Sequence, residues 1–382
     1  MANKRLLSHI EKSNEIRMYD WSCGKNVSGL KWKLIKAIRS LRSIFVLAVF
    51  WRARPNEWLY TVPNANGGLV VSILVCLFAR AKGFRCLLHH NSYSYLNRYD
   101  CRMHLVNLVC GKASLHIVLA PEMGQLLHTR YGDSVPWIVV PNTILLEDWK
   151  QDEVVKQGQH GSTVRLGHLS NLSVEKGIHL VVDTFRQLSD RDVELVLAGP
   201  CRSAKEREIV EAACREFPGN ITYLGPIYDQ DKVDFYDDID VFLFPTEYAT
   251  EAQPLVIAEA MSYGNPIIAY DRGCIASLVG KLGGQVIRAE EDFAELASKT
   301  IGDWVADPKA LSAAKRSALT QAGQLRKDAQ RCLSEFLTHL PESSTALPPK
   351  SDFIREATRG HSHPTVECNT RTRHGRFQKE AV

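Results

Sequence analysis

Two glutamates eight positions apart, Glu251 and Glu259, have the types and spacing to bind a ligand rich in hydroxyl groups. A strand is predicted to end at Pro245, and a helix is predicted to begin at Pro254, where the missing N–H group costs nothing. A helix start exposes unpaired N–H groups and a partial positive charge, so it can hold a diphosphate without a metal. Glu251 would then contact hydroxyls on one side of the phosphates and Glu259 those on the other.

A purely structural interpretation of the two glutamates competes with this one. In it, Glu251 is a loop charge and Glu259 is an exposed position of the helix. Against it, the helical neighbours of Glu259 are almost all apolar, and an unpaired carboxylate inside a buried helix is costly. Spacing alone leaves the two interpretations evenly matched.

The segment from Glu251 to Ile268 resembles the E-x7-E motif of retaining glycosyltransferases with the GT-B fold, in the large family 4, also called group 1. The similarity extends over residues 110–305 and includes further motifs in family-like order and spacing. These motifs lie at residues 167–170, 175–177, 195–200 and 223–227.

The resemblance implies a role for each matching residue. Lys176 would neutralise the donor diphosphate, Glu259 would bind the ribose, and the loop that ends at Ile227 would face the base. Glu251 would contact the transferred sugar, and His90 would lie near it. The implied donor-binding residues are Gly167, His168, Lys176, Ile227, Pro254, Leu255 and Glu259.

Two positions depart from the family pattern. His168 stands where the family has an arginine, and a neutral imidazole binds phosphate less strongly than a guanidinium. Ala252 replaces the glycine that usually follows the first glutamate. Both changes bear on the affinity for the diphosphate rather than on the fold.

His89 and His90 follow each other at the end of a predicted strand. Adjacent strand residues point to opposite faces of a sheet, which argues against a shared metal ion. Two interpretations stay open, a satisfied core or loop histidine and a histidine that reaches the cleft between domains. The family has a histidine at this strand end, and alignment on the following Asn91–Ser92 pair favours His90 for the second role.

Strands alternate with helices through most of the chain, which predicts an α/β fold of parallel sheets covered on both faces. With the family resemblance, this becomes two Rossmann-like, doubly wound domains that face a cleft, followed by a disordered tail. The predicted divisions are an N-terminal acceptor domain at 1–150, a linker at 151–161, a donor domain at 162–305, a helical segment at 306–341 and the tail at 342–382.

Short apolar runs and amphipathic stretches give the predicted elements. The strands are Ile44–Trp51, Trp58–Val62, Phe84–His89, His116–Ala120, Trp137–Val140, Val164–Leu169, Val193–Ala198, Ile221–Leu224, Val241–Phe244, Pro266–Tyr270 and Gly284–Ile287. The helices are Leu30–Ile44, Leu69–Lys82, Leu105–Cys110, Lys176–Leu188, Ala204–Phe217, Gln230–Tyr236, Pro254–Tyr263, Glu291–Ile301 and Pro308–Leu340.

The first 60 residues hold twelve Lys or Arg and four Asp or Glu, whereas the whole chain has a net charge of +4. Such a basic stretch indicates an anionic partner. The helix at residues 30–44 is amphipathic, typical of a helix packed on a sheet, which is favoured, or of a helix on an anionic membrane. No signal peptide and no apolar run of about 20 residues is visible. The protein is therefore expected in the cytoplasm or at the inner face of a membrane.

Ten cysteines are scattered without C-x-x-C spacing, which is typical of buried thiols in a reducing compartment and not of a zinc site. Three Asp-x-Asp pairs, at residues 190–192, 229–231 and 238–240, are interpreted as solvated turn or capping carboxylates. The sequence thus predicts no metal site and no cofactor, with the nucleotide-sugar acting as a substrate.

These observations predict a retaining glycosyltransferase that moves a hexose from a nucleotide-diphosphate sugar to a glycan or lipid-linked acceptor, in the synthesis of a surface polysaccharide or glycoconjugate. Two rivals stay open, a non-catalytic GT-B scaffold or partner subunit and a nucleotide-sugar epimerase or hydrolase. A nucleic-acid binder is disfavoured, because the basic residues lack interleaved aromatic residues.

Overall fold

A computed structural model describes residues 2–11, 29–51, 53, 57–63, 65–132, 135–146 and 163–340. The predicted linker at 151–161 and the predicted tail at 342–382 lie outside the described residues. The domain boundaries set by these two segments therefore stay predictions.

Ten strands and thirteen α-helices are found in the described residues. The strands are β1 (Trp58–Thr61), β2 (Arg85–His89), β3 (Leu115–Val118), β4 (Trp137–Val139), β5 (Val164–Leu169), β6 (Val193–Ala198), β7 (Ile221–Tyr223), β8 (Val241–Phe244), β9 (Ile267–Tyr270) and β10 (Gly284–Ile287). The helices are α1 (Ala2–Glu11), α2 (Gly29–Phe50), α3 (Leu69–Ala81), α4 (Ser94–Asn97), α5 (Cys101–Cys110), α6 (Pro121–Tyr131), α7 (Ile178–Arg186), α8 (Ala204–Glu216), α9 (Asp229–Asp238), α10 (Leu255–Ser262), α11 (Ile275–Val279), α12 (Phe293–Ala306) and α13 (Pro308–Thr338).

The described strands form two parallel sheets. The first has the order β1-β2-β3-β4, and the second has the order β10-β9-β8-β5-β6-β7. In the second sheet β5 pairs with both β6 and β8, so the strand order reverses at β5. Ligands of such sheets bind outside the carboxyl ends of the strands at the reversal. The ends of β5 and β8 are therefore where a donor site is expected.

Helices cover both faces of the first sheet. On one face, α2, α3 and α5 pack side by side, and Leu69, Leu88 and Met103 are buried in the core beneath them. On the other face, α1 and the end of α13 pack against Leu87 and Ile117. Helix α13 also packs on α10, so one helix of 31 residues contacts both domains.

The strand predicted at Ile44–Trp51 is wrong, because these residues continue helix α2 to Phe50. An uninterrupted apolar run fits a buried strand and a buried helix equally well. The burial of Ile44 and Leu47, three positions apart, follows the helical period, whereas Phe45 between them is 60% exposed.

The other predicted strands are confirmed, with ends that differ by two residues at most. Helix α6 has no counterpart among the predicted elements, because its apolar residues are few and separated by polar ones, apart from the Leu126–Leu127 pair. Among the described residues, no helix combines the length and the apolar character needed to cross a membrane.

Candidate functional site

The loop that precedes α10 lies against the first domain. Gln253 is buried there, accepts a hydrogen bond from the backbone N–H of Asn142 at 2.6 Å and donates one to the carbonyl of Leu119 at 3.1 Å. The side-chain amide of Asn142 donates back to the carbonyl of Gln253 at 3.2 Å. A second buried contact joins the Tyr93 hydroxyl and the Cys274 sulfur, 3.1 Å apart. These contacts hold the loop between the two domains.

Glu251 lies in this loop with its side chain 12% exposed. Its carboxylate accepts a hydrogen bond from the Thr246 hydroxyl at 3.2 Å and forms an ion pair with the ammonium group of Lys176. The two residues are 75 positions apart in sequence and come from different strand ends, those of β8 and β5. The structure therefore brings together the two side chains that the sequence analysis placed at the transferred sugar and at the diphosphate.

Gly273 fixes the backbone beneath Glu251. Its φ is +57°, and a Cβ atom at this position would lie 2.3 Å from the Glu251 carbonyl oxygen and 2.6 Å from that of Ala252. The following residue, Cys274, donates its N–H to the same Ala252 carbonyl at 2.8 Å. Only glycine fits such a contact without displacing the loop. This glycine could not be predicted as part of the site, since nothing near it in sequence indicates the close approach of the Glu251 loop.

Lys176 is positioned by a short turn after β5. Residues 174–176 form one 3₁₀ turn in which the Ser173 hydroxyl accepts a hydrogen bond from the Lys176 N–H at 3.2 Å, and Gly177 follows with φ +76°. A Cβ atom at Gly177 would lie 2.0 Å from the carbonyl oxygen of Pro245, so the turn packs directly on the end of β8. The Lys176 ammonium also lies 4.9 Å from the ring centre of Tyr248, within range of a cation–π contact.

Helix α10 starts beside this ion pair. Leu255 is its first residue, and Pro254, predicted as the first helical position, is its N-cap with an extended backbone. No side chain caps this helix start. Its backbone N–H groups and the positive end of its dipole are therefore available to an anion that enters the cleft.

Glu259 has two partners that the sequence analysis missed. Its carboxylate accepts a hydrogen bond from the Tyr236 hydroxyl at 2.9 Å and pairs with the Lys232 ammonium at 2.6 Å. Burial, and then the nearby Glu259 carboxylate, raise the pKa of Tyr236 well above its usual value. Glu259 was predicted to be an isolated carboxylate in a buried helix, but it is 20% exposed and paired. Its predicted contact with a ribose stays a prediction.

The structure places three other predicted donor-binding residues mainly in packing roles. His168 is fully buried, and its Nδ1–H donates to the Leu243 carbonyl at 2.8 Å while Nε2 accepts from the Ser170 hydroxyl at 2.9 Å. A Cβ atom at Gly167 would lie 2.5 Å from the Ile239 side chain, so this glycine lets β5 pack on α9. Ile227 packs at the edge of the same apolar core. Their contacts with a donor stay predictions.

His90 does not reach the cleft surface in this structure. Its ring is fully buried, and it accepts a hydrogen bond from the Tyr95 hydroxyl at 2.8 Å and donates one to His116 at 2.8 Å. His116 in turn lies 3.4 Å from the hydroxyl of Ser114, which donates to the Gly111 carbonyl. This geometry matches the interpretation of a satisfied core histidine, and a role for His90 at the sugar stays a prediction.

The buried histidines make stability depend on pH. Burial lowers the pKa of His89 to about 4, of His116 to about 3 and of His168 to about 4. The unfolded chain binds protons below about pH 6.5, where these folded rings stay neutral, so the free energy of unfolding should fall from pH 6.5 toward 4. Each ring contributes up to about 1.4 kcal/mol per pH unit. Urea unfolding at pH 7.5 and 5.5 measures the slope.

Two substitutions separate this effect from general acid sensitivity. The His116→Asn variant should lose part of the slope, whereas His104→Asn, at an exposed position of α5, should keep it. An identical pH dependence in both variants would contradict the assignment to buried histidines.

A cavity of about 330 Å³ opens in the cleft beside Glu251. This volume is in the range of small-molecule sites, which starts at about 300 Å³. The first domain contributes Asn91, Ser92 and Asn142, and the second contributes Tyr248 and Thr250 together with the glutamate. The side-chain oxygen of Asn142 is buried and has no partner in the described part of the chain. The cavity therefore offers hydrogen-bonding groups from both domains, as a sugar ligand requires.

Replacing Gln253 with alanine is expected to destabilise the protein and loosen the cleft. The change leaves the Leu119 carbonyl and the Asn142 N–H without their partner, and each unpaired buried group costs about 1–3 kcal/mol. Urea unfolding measures the loss. Gln125→Ala, at an exposed position of α6, is the matched control and should change stability by less than about 0.5 kcal/mol. Equal stability of the two variants would show that Gln253 does not join the domains.

Asp-x-Asp pairs and a cluster of three cysteines are two kinds of group that could bind a metal. The prediction of solvated Asp-x-Asp pairs is wrong for the one at 238–240, because Asp240 is buried and pairs with Lys315 while Asp238 pairs with Arg165 at 2.5 Å. Cys76, Cys86 and Cys110, in contrast, lie far apart in sequence but have their sulfur atoms within 4.8 Å of one another. They are the one candidate group in the part of the chain that the structure describes, and sulfur ligands would select a soft ion.

Comparisons with known proteins agree with this geometry. Residues 163–303 match the sequence profile of the family described as "Glycosyl transferases group 1". The sucrose-phosphate synthase from Thermosynechococcus elongatus has a similar structure, with a TM-score of 0.63 and 17% identity over 83% of this chain and 81% of that one. Anabaena Alr3699/HepE, solved in complex with UDP-glucose, has a TM-score of 0.58 and 19% identity over 79% and 82% of the two chains. The predicted fold class is thereby confirmed as the two-domain GT-B fold.

Curated relatives are similar over shorter stretches. The 2-deoxystreptamine glucosyltransferase of Streptomyces kanamyceticus is 28% identical over 207 residues, which are 52% of this chain and 51% of the relative. The D-rhamnosyltransferase WbpZ of Pseudomonas aeruginosa is 29% identical over 104 residues, 27% of this chain and 26% of the relative. The chain thus spans about half the length of the first relative and about a quarter of the second. The matched stretches are thus similar to parts of known glycosyltransferases.

Proposed function

We propose that the protein is a retaining hexosyltransferase that uses a nucleotide-diphosphate sugar and a glycan or lipid-linked acceptor. The observation that carries the proposal is the ion pair of Lys176 and Glu251, in the loop that leads to the uncapped start of α10, with Glu251 also lining a cavity between both domains. A cation and a helix start suit the diphosphate, and the carboxylate suits the sugar hydroxyls. The known structure with UDP-glucose supports a nucleotide-sugar donor for this fold.

The chemical step breaks the bond between the anomeric carbon and the diphosphate oxygen, which keeps the electron pair. The charge that develops on the phosphate is stabilised by the Lys176 ammonium and by the N–H groups at the start of α10. The sugar passes through an oxocarbenium-like state, oriented by hydrogen bonds to Glu251. The acceptor hydroxyl bonds to the anomeric carbon on the face that the diphosphate leaves, and its proton passes to the departing phosphate oxygen.

This step needs no metal, because the ammonium group and the helix start supply the positive charge. We therefore propose metal-independent transfer, in the synthesis of a surface polysaccharide or glycoconjugate at the cytoplasmic side of a membrane. Full activity in a chelator supports the first part, and activity lost in the chelator and restored by Mn²⁺ or Mg²⁺ overturns it.

The experiment that tests the function begins with UDP-, GDP- and ADP-sugars, compared by the thermal shift each produces. The sugar that stabilises the protein is then incubated with and without candidate acceptors, and the products are identified by NMR. A glycoside with the donor's anomeric configuration supports the proposal. An inverted glycoside overturns retention, free sugar or an epimer formed without acceptor supports the rival enzymes, and no nucleotide binding supports a scaffold.

A further inference from the structure

Helices α2, α3 and α5 form one continuous layer whose outer side is apolar. Of the fourteen large hydrophobic side chains that are well exposed in the described residues, nine belong to these three helices, so the exposure is not scattered. The nine are Ile38, Leu41, Phe45, Val49, Val70, Leu74, Leu77, Leu105 and Leu108. Contiguous exposed apolar surface of this kind marks a place where a protein contacts a partner or a membrane.

The spacing shows that these side chains form stripes rather than isolated positions. On α2 the exposed residues recur at intervals of three, four and four, and on α3 at intervals of four and three. Such intervals keep residues on one side of a helix. The opposite sides of both helices are buried, with Leu47 and Leu69 in the core of the first domain. Each helix therefore has two apolar sides, and only one of them is used by the fold.

The charge within the three helices has a single sign. They contain seven Lys or Arg residues and no Asp or Glu, and one of the seven, Arg102, is paired with Asp100 at the N-cap of α5. Arg39 and Arg42 on α2 are exposed and lie next to the stripe that contains Leu41 and Phe45. An apolar stripe bordered by cations suits a bilayer with anionic headgroups, because the stripe enters the acyl boundary while the cations meet phosphates.

The same charge argues against a second copy of the chain on this surface. A two-fold contact would place the cationic border of one copy against that of the other, with no acidic residue on either set of helices to pair with it. Like charges across an interface oppose association.

We infer that the outer side of α2, α3 and α5 docks on an anionic lipid bilayer, with the three helices lying along the membrane surface. This inference rests on the proposed function and adds to it, because a lipid-linked acceptor is confined to the membrane surface. It extends the membrane contact expected from residues 30–44 to two further helices. The docking itself requires no catalytic residue.

Vesicle binding of the full chain tests the inference. The protein is mixed with vesicles of phosphatidylcholine containing 30 mol% phosphatidylglycerol, or with phosphatidylcholine alone, and the bound fraction is measured by flotation. We expect partition onto the anionic vesicles to be about tenfold or more above that onto neutral ones, and to fall with added salt. The double variant Leu41→Gln/Phe45→Gln should lose about tenfold in partition, since two buried apolar contacts are removed.

The matched control is Leu224→Gln, at an exposed apolar residue of the second domain, which should partition like wild type. A second variant, Leu74→Gln on α3, should also lose partition, which distinguishes the whole layer from α2 alone. Thermal unfolding shows that each variant is folded, and thermal shift with the nucleotide-sugar tests the donor site independently of the membrane.

Several results would overturn the inference. The inference of a lipid surface is wrong if the wild-type protein binds neither type of vesicle. It is also wrong if the Leu41→Gln/Phe45→Gln variant partitions as strongly as wild type. A dimer at micromolar concentration that the same variant converts to monomer assigns the layer to a second copy. Vesicle binding without any response to nucleotide-sugars leaves the docking in place and removes the proposed function, so the two failures are distinguishable.

Discussion

Replacing Glu251 with glutamine is expected to lower the transfer rate by about 10³-fold while leaving the protein folded. The carboxylate is the one acidic group in the cavity lining. In the proposed mechanism its negative charge faces the sugar, which becomes positively charged in the transition state. Glutamine keeps the shape and the hydrogen bonds with Lys176 and Thr246 but loses the charge. Initial rates with saturating donor and acceptor give the loss in kcat. Titration with nucleoside diphosphate should show that the Glu251→Gln variant still binds the nucleotide.

The matched control is Glu247→Gln in the same loop. Glu247 is 43% exposed and faces His179 at 3.4 Å rather than the cavity, so its loss should change kcat by less than about threefold. Equal kcat for Glu251→Gln and wild type would remove Glu251 from the sugar site. A comparable loss in both variants would indicate a disturbed loop and not a contact with the sugar.

The donor half of the protein could be predicted from the sequence because its signals are local. Each strand of the second sheet is a short apolar run, and its ends agree with the structure within one residue. The turn that contains Gly177 and the proline before α10 can also be recognised in the sequence. The pairing of Lys176 with Glu251, 75 positions apart, was accessible only through the family resemblance, since no local pattern predicts it.

What the sequence could not predict depends on contacts between distant residues. The partners of Glu259, which are Tyr236 and Lys232, come from a neighbouring helix, so the carboxylate looked unpaired in sequence. The rings of His90 and His168 were expected near ligand, but tertiary packing buries both. The residues that flank a histidine do not reveal whether it is buried, since a histidine at the end of a strand can either pack in the core or bind a ligand.

The strand prediction at Ile44–Trp51 was wrong for another reason. Length and hydrophobicity were read as a strand, yet the run continues a helix that is apolar on two sides. A helix with one buried and one exposed apolar side has no clear helical period. The feature that misled the prediction is therefore the one that defines the exposed layer of α2, α3 and α5.

Replacing Lys176 with methionine is expected to weaken nucleoside diphosphate binding by about 10- to 100-fold, with a further loss in kcat. Methionine removes the charge that would meet the diphosphate, and it also leaves the Glu251 carboxylate without its partner in the cleft. The unpaired carboxylate would then repel the phosphates. Isothermal titration with the nucleoside diphosphate measures the affinity, and Lys205→Met, at an exposed position of α8, is the control that should bind like wild type.

This repulsion makes the two substitutions non-additive in a direction that can be tested. In the double variant Lys176→Met/Glu251→Gln the repelling charge is absent, so nucleoside diphosphate should bind several-fold more tightly than to Lys176→Met alone. The expected coupling is about 0.5–3 kcal/mol, the range for residues in direct contact. The rate should be at least as low as in Glu251→Gln, because the double variant lacks the carboxylate charge and also the ammonium group proposed to stabilise the leaving diphosphate. Additive losses of affinity would mean that Lys176 and Glu251 act on the donor independently. If binding recovers and the rate does not, Lys176 contacts the diphosphate and Glu251 contacts the sugar.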